Sequence, residues 1–147
     1  MQECDGFDLQ DFLPYLLNQA AEESSLAFQR IYKSRYGMLR TEWRVLFHLG
    51  RYGQMTAREI SQRSRTHKTK ISRAVAALEQ RRFLTRERDA CDRRNEFLNL
   101  TPAGQTAYID LRGIAQNYDA NLAGSLSPSE VAVLRTALRK LGNLPER

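Results

Sequence analysis

The chain has 147 residues, of which 41% are hydrophobic and 27% are charged, and its formal net charge is +6. This length and composition are those of a folded domain with a core of its own, so they exclude a disordered chain. The longest nearly apolar stretch covers only residues 12–17, which is too short to cross a bilayer, so we predict no membrane segment.

The cysteines and the N-terminus indicate in which cellular compartment the protein is expected. Cys4 and Cys91 are too few and too far apart to form a disulfide framework or a zinc site. The N-terminus is acidic and lacks the basic region with which a secretory signal begins. We therefore predict a reducing, cytoplasmic location.

Glycine and proline divide the chain into predicted helices. The first four cover about residues 11–36, 40–49, 56–64 and 68–80. Thr56 and Glu59 form a capping box at the start of the third helix. On the fourth, the apolar positions share one side, which predicts that Ile71, Ala74, Val75 and Leu78 are buried.

Residues 83–100 no longer show the helical spacing of apolar residues. Their pattern is typical of two short strands around a turn at residues 89–92. Thr101 and Pro102 then predict the cap and first position of a fifth helix. A second capping box, from Ser127 to Glu130, opens a sixth. This order predicts a mainly α fold with a small β-wing, a winged helix-turn-helix. The helices at the two chain ends are longer than that lobe can cover, so we expect them to pack on each other and on a second copy.

The positive charge is concentrated in one segment. Residues 63–94 contain eleven Lys or Arg and four acids, whereas the remaining residues have a net charge of −1. Such a block inside a nearly neutral frame predicts a surface for a polyanion, double-stranded DNA above all. Nineteen of the 23 basic residues are Arg, which suits two-pronged contacts to phosphate and guanine.

Two groups of residues are the predicted DNA contacts. On a helical wheel, the short hydroxyl and cationic side chains of the fourth helix lie on the side opposite the core. A helix that reads the major groove needs such side chains on its outward face. The hairpin carries arginines around its turn, where a wing reaches the minor groove, and Asp92 is expected to hold one of them in place. The set is Thr66, His67, Lys68, Thr69, Lys70, Ser72 and Arg73 on or beside the helix, and Arg86, Arg88, Arg93 and Arg94 on the wing.

The chain resembles a known family at this point. The segments that carry the resemblance are residues 41–46 (TEWRVL), 68–73 (KTKISR) with Leu78-Glu79, 89–94 (DACDRR) and 100–104 (LTPAG). In order and spacing they resemble the MarR family of transcriptional regulators. The resemblance implies one MarR-like domain over residues 1–147. Within it, residues 37–101 would be the DNA-binding lobe, and residues 8–36 and 102–147 the platform of a homodimer.

Three positions depart from that family pattern. His67 stands where an acidic residue is common. Arg81-Arg82-Phe83 replaces a basic residue, a glycine and an aliphatic residue after the recognition helix. Leu39 occupies a position often held by a capping threonine. None of the three removes a predicted DNA contact, although His67 is expected to alter base preference.

The resemblance also implies a small-molecule pocket, which we predict between the first, second and fifth helices. Aromatic side chains with a few polar tips suit a small aromatic or phenolic effector, with Arg40 or Arg44 as its counter-ion. The candidates are Tyr32, Tyr36, Arg40, Trp43, Arg44, Phe47, His48 and Tyr108.

Enzymatic chemistry is not indicated. His48 and His67 have no carboxylate or Cys at ligand spacing, and no phosphate loop or nucleophile elbow is present, so we predict no catalytic residues, no metal and no cofactor.

The preferred function is a repressor released from a pseudo-palindromic operator by an aromatic ligand. One alternative is redox control through Cys91, because the wing arginines around it favour a thiolate. The reactive Cys of the peroxide-sensing branch of the family lies early in the first helix, where this chain has Phe12-Leu-Pro-Tyr15, and Cys4 lies too far upstream to match it. Another alternative is an architectural DNA-binding protein without an effector.

Overall fold

The structure is a computed structural model that describes residues 6–145. Cys4 lies outside that range. The described residues form six α-helices and three β-strands, and a single 3-10 turn, Leu9–Asp11, precedes the first helix. The elements are α1 (Leu13–Tyr36), α2 (Arg40–Tyr52), β1 (Met55–Thr56), α3 (Ala57–Ser64), α4 (Lys68–Gln80), β2 (Leu84–Arg88), β3 (Glu96–Leu100), α5 (Pro102–Ala123) and α6 (Pro128–Leu141). The predicted winged helix-turn-helix is confirmed.

The sheet has three antiparallel strands in the order β1-β3-β2. The β2–β3 hairpin is the wing, and its register pairs Leu84 with Leu100 and Arg88 with Glu96. Strand β1 pairs Met55 with Leu98 on the other side of β3. The sequence did not predict β1, because two residues are too few to show an alternating pattern.

The chain divides into two compact units, one ending at Arg112 and the other beginning at Gly113. The core of the first unit lies among α2, α3, α4 and the sheet. The predicted inward face of α4 is confirmed, since Ile71, Ala74, Val75 and Leu78 are all buried. They share the core with Val45, Leu46, Ile60, Leu84 and Leu98, each of which is also buried.

The second unit contains the end of α5 and all of α6. The predicted capping box is confirmed: Ser127 Oγ accepts from Glu130 N at 3.1 Å, and Glu130 Oε1 accepts from Ser127 N at 3.0 Å. The hydrogen bond from the Ser127 backbone, and then that from its side chain, hold the pKa of the Glu130 carboxyl below its usual value. Within the described residues α6 buries none of its side chains, and Leu134, Leu138 and Leu141 are exposed.

Helix α5 begins against the end of α4. Thr101 is its confirmed cap, because Thr101 Oγ1 accepts from Gly104 N at 3.0 Å. The same hydroxyl donates to the Arg82 carbonyl at 2.6 Å, and Thr101 N donates to the Phe83 carbonyl at 3.0 Å. Gly104 is buried against that Phe83 carbonyl, and a Cβ there would overlap the oxygen. The absence of a side chain at Gly104 therefore permits this close packing.

No helix within residues 6–145 is long and apolar enough to cross a bilayer.

Alanine substitutions at two glycines of α5 test how tightly the start of this helix is packed. We expect Gly104→Ala to lower the free energy of unfolding by about 1–3 kcal/mol, because the Phe83 backbone must move. The matched control is Gly113→Ala on the same helix, where a Cβ would meet no atom within 4 Å. That change should raise stability by about 0.5–1 kcal/mol, since alanine favours a helix interior. Urea unfolding of both variants measures the difference, and equal effects at the two sites would contradict the packing described.

Candidate nucleic-acid interface

The turn before α4 fixes where that helix begins. Arg65 ends α3 in the left-handed conformation, with φ of 52°, and Ser61 Oγ donates to the Thr66 carbonyl at 2.6 Å. His67 is the N-cap of α4, because its Nδ1 accepts from Thr69 N at 3.1 Å. The imidazole nitrogen thus provides a hydrogen-bond acceptor for the start of α4, as a carboxylate can. This explains how His67 can replace the acidic residue that is common here in the family pattern.

The outward face of α4 is cationic and open. Lys68, Thr69, Lys70, Ser72 and Arg73 are all exposed, and Thr66 is partly exposed. None of the three cations among them forms a salt bridge with a described residue. Their charges are therefore free to meet phosphate or base edges.

The start of α2 lies beside this face. Lys70 and Arg73 line a cleft of about 310 Å³ together with Leu39, Thr41 and Glu42. Glu42 is buried, and its Oε2 accepts from Leu39 N at 2.6 Å. Glu42 therefore satisfies a backbone donor at the start of α2, where Leu39 has no capping side chain.

Arg86 ties the wing to α4. Its Nε lies 3.1 Å from Glu79 Oε1 in the last turns of α4, and its Nη1 lies 3.3 Å from Glu96 Oε2 on β3. Arg88 Nε lies 3.7 Å from Glu96 Oε1. The wing is thus held by carboxylates on both sides of Arg86, and a DNA contact by Arg86 or Arg88 stays a prediction.

The wing turn is built on two aspartates. Asp89 Oδ1 accepts from Cys91 N at 2.9 Å, and Asp92 Oδ1 accepts from Arg94 N at 3.1 Å. Asp92 Oδ1 also lies 3.8 Å from Arg94 Nε, so the predicted contact between Asp92 and a wing arginine is confirmed. The side chain of Arg94 is 95% exposed, and Arg93 is exposed as well. Cys91 is an exposed free thiol at the tip.

Three of the predicted effector residues meet at one cleft. Phe47, His48 and Tyr108 line a cleft of about 640 Å³ in the first unit. Gly50 lies directly against the Tyr108 ring, where a Cβ would overlap it, and the Phe47 and Tyr108 rings meet edge to face at 5.1 Å. His48 Nδ1 is 2.7 Å from the Arg44 carbonyl, which makes this nitrogen the donor and leaves Nε2 as an acceptor in the neutral ring.

Four residues that line this cleft were not predicted from the sequence: Gly50, Arg51, Tyr52 and Arg112. A signal for the last three existed, because Arg51 and Tyr52 follow His48 by three and four positions, and Arg112 follows Tyr108 by four. Residues at these spacings share a helix face. Tyr52 is also covered by cations, with the guanidinium carbons of Arg51 and Arg63 at 5.2 and 4.2 Å from its ring centre.

Other predicted effector residues form an aromatic cluster away from the cleft lining. Tyr32 and Trp43 stack at 5.7 Å, and Trp43 lies 4.9 Å from Phe47. Burial raises the pKa of Tyr32, while Arg40 opposes the shift through a hydrogen bond and its charge, and Arg44 opposes it more weakly. Trp43 Nε1 is buried and has no acceptor among the described residues.

Tyr36 contacts α5 instead of the cleft. Its hydroxyl donates to Asp110 Oδ2 at 2.6 Å, and Arg35 Nη1 donates to both oxygens of the same carboxylate at 2.8 and 3.0 Å. Burial, and then the Asp110 carboxylate, raise the pKa of Tyr36 to about 12. The Tyr36 hydrogen bond and Arg35 in turn hold the pKa of Asp110 below its usual value. This group joins the end of α1 to α5.

Within residues 6–145, no group of three or more His, Cys, Asp or Glu residues is arranged to hold a metal ion.

Comparison with known proteins places these features in a family. Residues 36–95 match the family model described as "MarR family". An uncharacterized HTH-type transcriptional regulator, YwaE of Bacillus subtilis, is 24% identical over 127 residues, which are 86% of this chain and 74% of that protein.

Two solved structures share the fold. A MarR/EmrR family transcriptional regulator from Acinetobacter sp. ADP1 is 25% identical with a TM-score of 0.82, and the match covers 93% of this chain and 96% of that one. BpsR of Bordetella bronchiseptica, whose DNA binding is regulated by 6-hydroxynicotinic acid, is 19% identical with a TM-score of 0.83 over 95% and 99% of the two chains. Residues 36–95 therefore match the MarR family over the winged lobe, and the chain as a whole is similar in fold to MarR-family transcriptional regulators.

Proposed function

We propose that this chain is a homodimeric repressor that reads a pseudo-palindromic operator and is released from it by a small aromatic acid. The observation that carries the DNA contact is the outward face of α4, where Lys68, Lys70 and Arg73 are exposed and have no carboxylate partner among the described residues. Residues 37–101 are the proposed DNA-binding lobe, and residues 8–36 and 102–147 the dimerisation platform. A cytoplasmic location is proposed with this function.

The arginines of the proposed interface fall into two groups, those that are free to contact DNA and those that are bound to carboxylates of the protein. Arg73, exposed on α4, is placed to read base edges in the major groove, where Arg pairs with guanine through two hydrogen bonds. Arg93 and Arg94 at the exposed wing turn suit the minor groove and its phosphates. Arg86, whose guanidinium is shared by Glu79 and Glu96, positions the wing.

Base reading and phosphate binding give different mutant phenotypes. We expect Arg73→Ala to cost about 1–3 kcal/mol per half-site on the preferred duplex and to relax base preference. Arg94→Ala should weaken preferred and random duplexes alike and lower the salt slope by about one unit. Fluorescence anisotropy with a duplex selected from a random-sequence library, repeated over a salt series, measures both. If Arg73→Ala binds the selected duplex as tightly as the wild type, α4 is not the reading helix.

The dimer proposal rests on apolar surface that each unit leaves exposed. On α6, Val133, Leu134, Leu138 and Leu141 are exposed over 41–69% of their areas. On α1, Leu13, Leu16 and Leu26 are exposed in the same way. Soluble monomers rarely present such continuous apolar stripes, and a two-fold partner would cover them.

A single charge on α6 tests the dimer. We expect Leu138→Glu to convert the protein to a monomer or to aggregate it, because a carboxylate would be buried in the interface. Ala132→Glu is the matched control and should remain dimeric, because Ala132 is exposed and lies about 100° or more around the helix from each of the four apolar residues. Analytical ultracentrifugation gives the result. A wild type that sediments as a monomer at micromolar concentration would contradict the proposal.

The proposed effector site is the 640 Å³ cleft. His48, Arg51 and Arg112 line it together with Phe47, Tyr52 and Tyr108, and its lining contains no acid. Cations beside aromatic rings suit an aromatic anion. The similarity of fold to BpsR, which is regulated by 6-hydroxynicotinic acid, supports this ligand class. The cleft favours Arg51 and Arg112 as counter-ions over the predicted Arg40 and Arg44.

A ligand can release the protein from DNA only if it binds the released state more tightly than the DNA-bound state. To reduce operator occupancy a hundredfold, it needs about 2.7 kcal/mol more affinity for the released state, because each 1.4 kcal/mol is tenfold. Burial of one aromatic ring is of that size. By linkage, the operator must weaken the ligand by the same factor.

Aromatic acids are therefore expected to release the protein from DNA. The probes are 6-hydroxynicotinic acid, benzoate and hydroxybenzoates, titrated against the complex with the selected duplex at fixed salt. Trp43 contacts Phe47, which lines the cleft, so its fluorescence should change as the ligand binds. Arg112→Gln should weaken the ligand about tenfold, the scale of a hydrogen bond to a charged group. Arg30→Gln, outside the cleft, should not. If no compound changes both signals, the effector site fails and a constitutive DNA-binding protein is the better description.

Redox control through Cys91 is the alternative proposal, supported by an exposed free thiol on the same turn as Arg93 and Arg94. Loss of DNA binding on oxidation that Cys91→Ser abolishes would establish it.

A further inference from the structure

We propose that Arg81 is a positioning residue of the DNA-binding surface: it holds the end of α4 against the end of α1 and so sets the orientation in which α4 meets DNA. The inference depends on the proposed role of α4 as the reading helix. Arg81 keeps the basic residue that is usual at this position, whereas its neighbours Arg82 and Phe83 depart from the family pattern.

The contact joins two helix ends. Arg81 is the C-cap of α4: its backbone N–H donates to the Ala77 carbonyl at 3.1 Å, and the next N–H, that of Arg82, donates to the Glu79 carbonyl at 2.9 Å. Its side chain reaches across to α1, where Nη1 donates to the Tyr36 carbonyl and Nη2 donates to the Gly37 carbonyl at 2.8 Å. The last carbonyls of a helix lack hydrogen-bond donors within it, and they form the negative end of its dipole. A guanidinium can donate hydrogen bonds to two such carbonyls and offset the negative charge at the same time.

Gly37 makes room for the guanidinium. It ends α1 with φ of 62°, a left-handed conformation that favours glycine. A Cβ on Gly37 would lie 3.0 and 3.1 Å from Nη1 and Nη2 of Arg81, closer than a side chain normally approaches. The fit of Arg81 therefore depends on glycine for space as well as for conformation.

The end of α1 is fixed on a second side. Tyr36 and Arg35 bind Asp110 of α5, and the Tyr36 ring meets Phe83 edge to face at 6.0 Å. Since α1 is anchored to α5 in this way, a bond from Arg81 to α1 fixes α4 to a rigid neighbour. Loss of that bond would let the end of α4 shift without changing the side chains that face DNA.

Arg81 is also an exposed cation, so direct contact with a DNA phosphate is the competing explanation. A lysine would keep a phosphate contact as a point charge but cannot bridge two carbonyls with a planar fork. The Arg81→Lys variant therefore separates the two roles.

The test compares Arg81→Lys with Arg82→Lys, its exposed neighbour, on the duplex selected from a random library and on unselected duplexes. We expect Arg81→Lys to weaken the selected duplex about tenfold, as the loss of a charged hydrogen bond would. Unselected duplexes and the salt slope should be unchanged, and Arg82→Lys should match the wild type on every DNA. Wild-type affinity of Arg81→Lys would overturn the proposal, as would an Arg81→Gln variant whose salt slope falls by about one unit, since this is the mark of a phosphate contact.

A second variant approaches the same contact from α1. Gly37→Asn keeps every charge and tolerates the left-handed conformation, but its Cβ crowds the Arg81 guanidinium. It should reproduce the Arg81→Lys loss, and the double variant should lose no more than either single one. Additive losses would overturn the proposal. Thermal unfolding of each variant shows that it is folded, and Arg73→Ala measured alongside shows whether α4 reads DNA at all, so failure of the positioning role is distinguishable from failure of the proposed function.

Discussion

Three consecutive residues directly after α4 hold the proposed DNA-binding surface together. Arg81 bonds the end of α1, the Arg82 carbonyl accepts from Thr101 Oγ1, and the Phe83 carbonyl accepts from Thr101 N. Arg82 turns the chain with φ of 64°, which allows its neighbours to face opposite elements. The buried Gly104 of α5 lies against the Phe83 carbonyl. The end of α4, the start of the wing, the end of α1 and the start of α5 therefore depend on one short turn.

The distribution of arginine follows from this arrangement. Arginines near the junction are bound to acceptors, as Arg81 is to two carbonyls and Arg86 to Glu79 and Glu96. Those farther out extend into solvent: Arg73 has no carboxylate partner among the described residues, and Arg94 stays 95% exposed beside its long contact with Asp92. A paired guanidinium has its hydrogen-bonding directions fixed and orients an element, whereas an exposed one is available to DNA. The high arginine content thus serves both the shape and the charge of the surface.

The parts of the fold that the sequence could predict depend on local chemistry. The bounds of α4 and the caps at Thr101 and Ser127 follow from neighbouring residues alone, and they are confirmed. At Thr56 the hydroxyl accepts from Glu59 N as predicted, but the return bond of the predicted capping box is not found among the described residues. Helix α2 was predicted to end at Leu49, but it continues through Gly50 to Tyr52, because Gly50 packs against Tyr108 from a distant segment. The contacts of Arg81 join distant residues, and the cleft is lined by Arg51 and Arg112 from distant segments, which no local pattern shows.

Helix α2 connects the proposed effector cleft with the DNA surface. Phe47, His48 and Arg51, in its second half, line the cleft, while Thr41 and Glu42 at its start line the smaller cleft that Lys70 and Arg73 border. The helix spans roughly 20 Å at 1.5 Å per residue, and a helix transmits a tilt along its whole length. A ligand that wedges Tyr108 away from Gly50 would tilt the far end of α2 against α4. The carbonyls that Arg81 binds belong to Tyr36 and Gly37, a few residues before α2 begins, so the same tilt would also act on the bond that holds the end of α4. A ligand that binds the tilted arrangement better than the original one would in this way shift the position of α4.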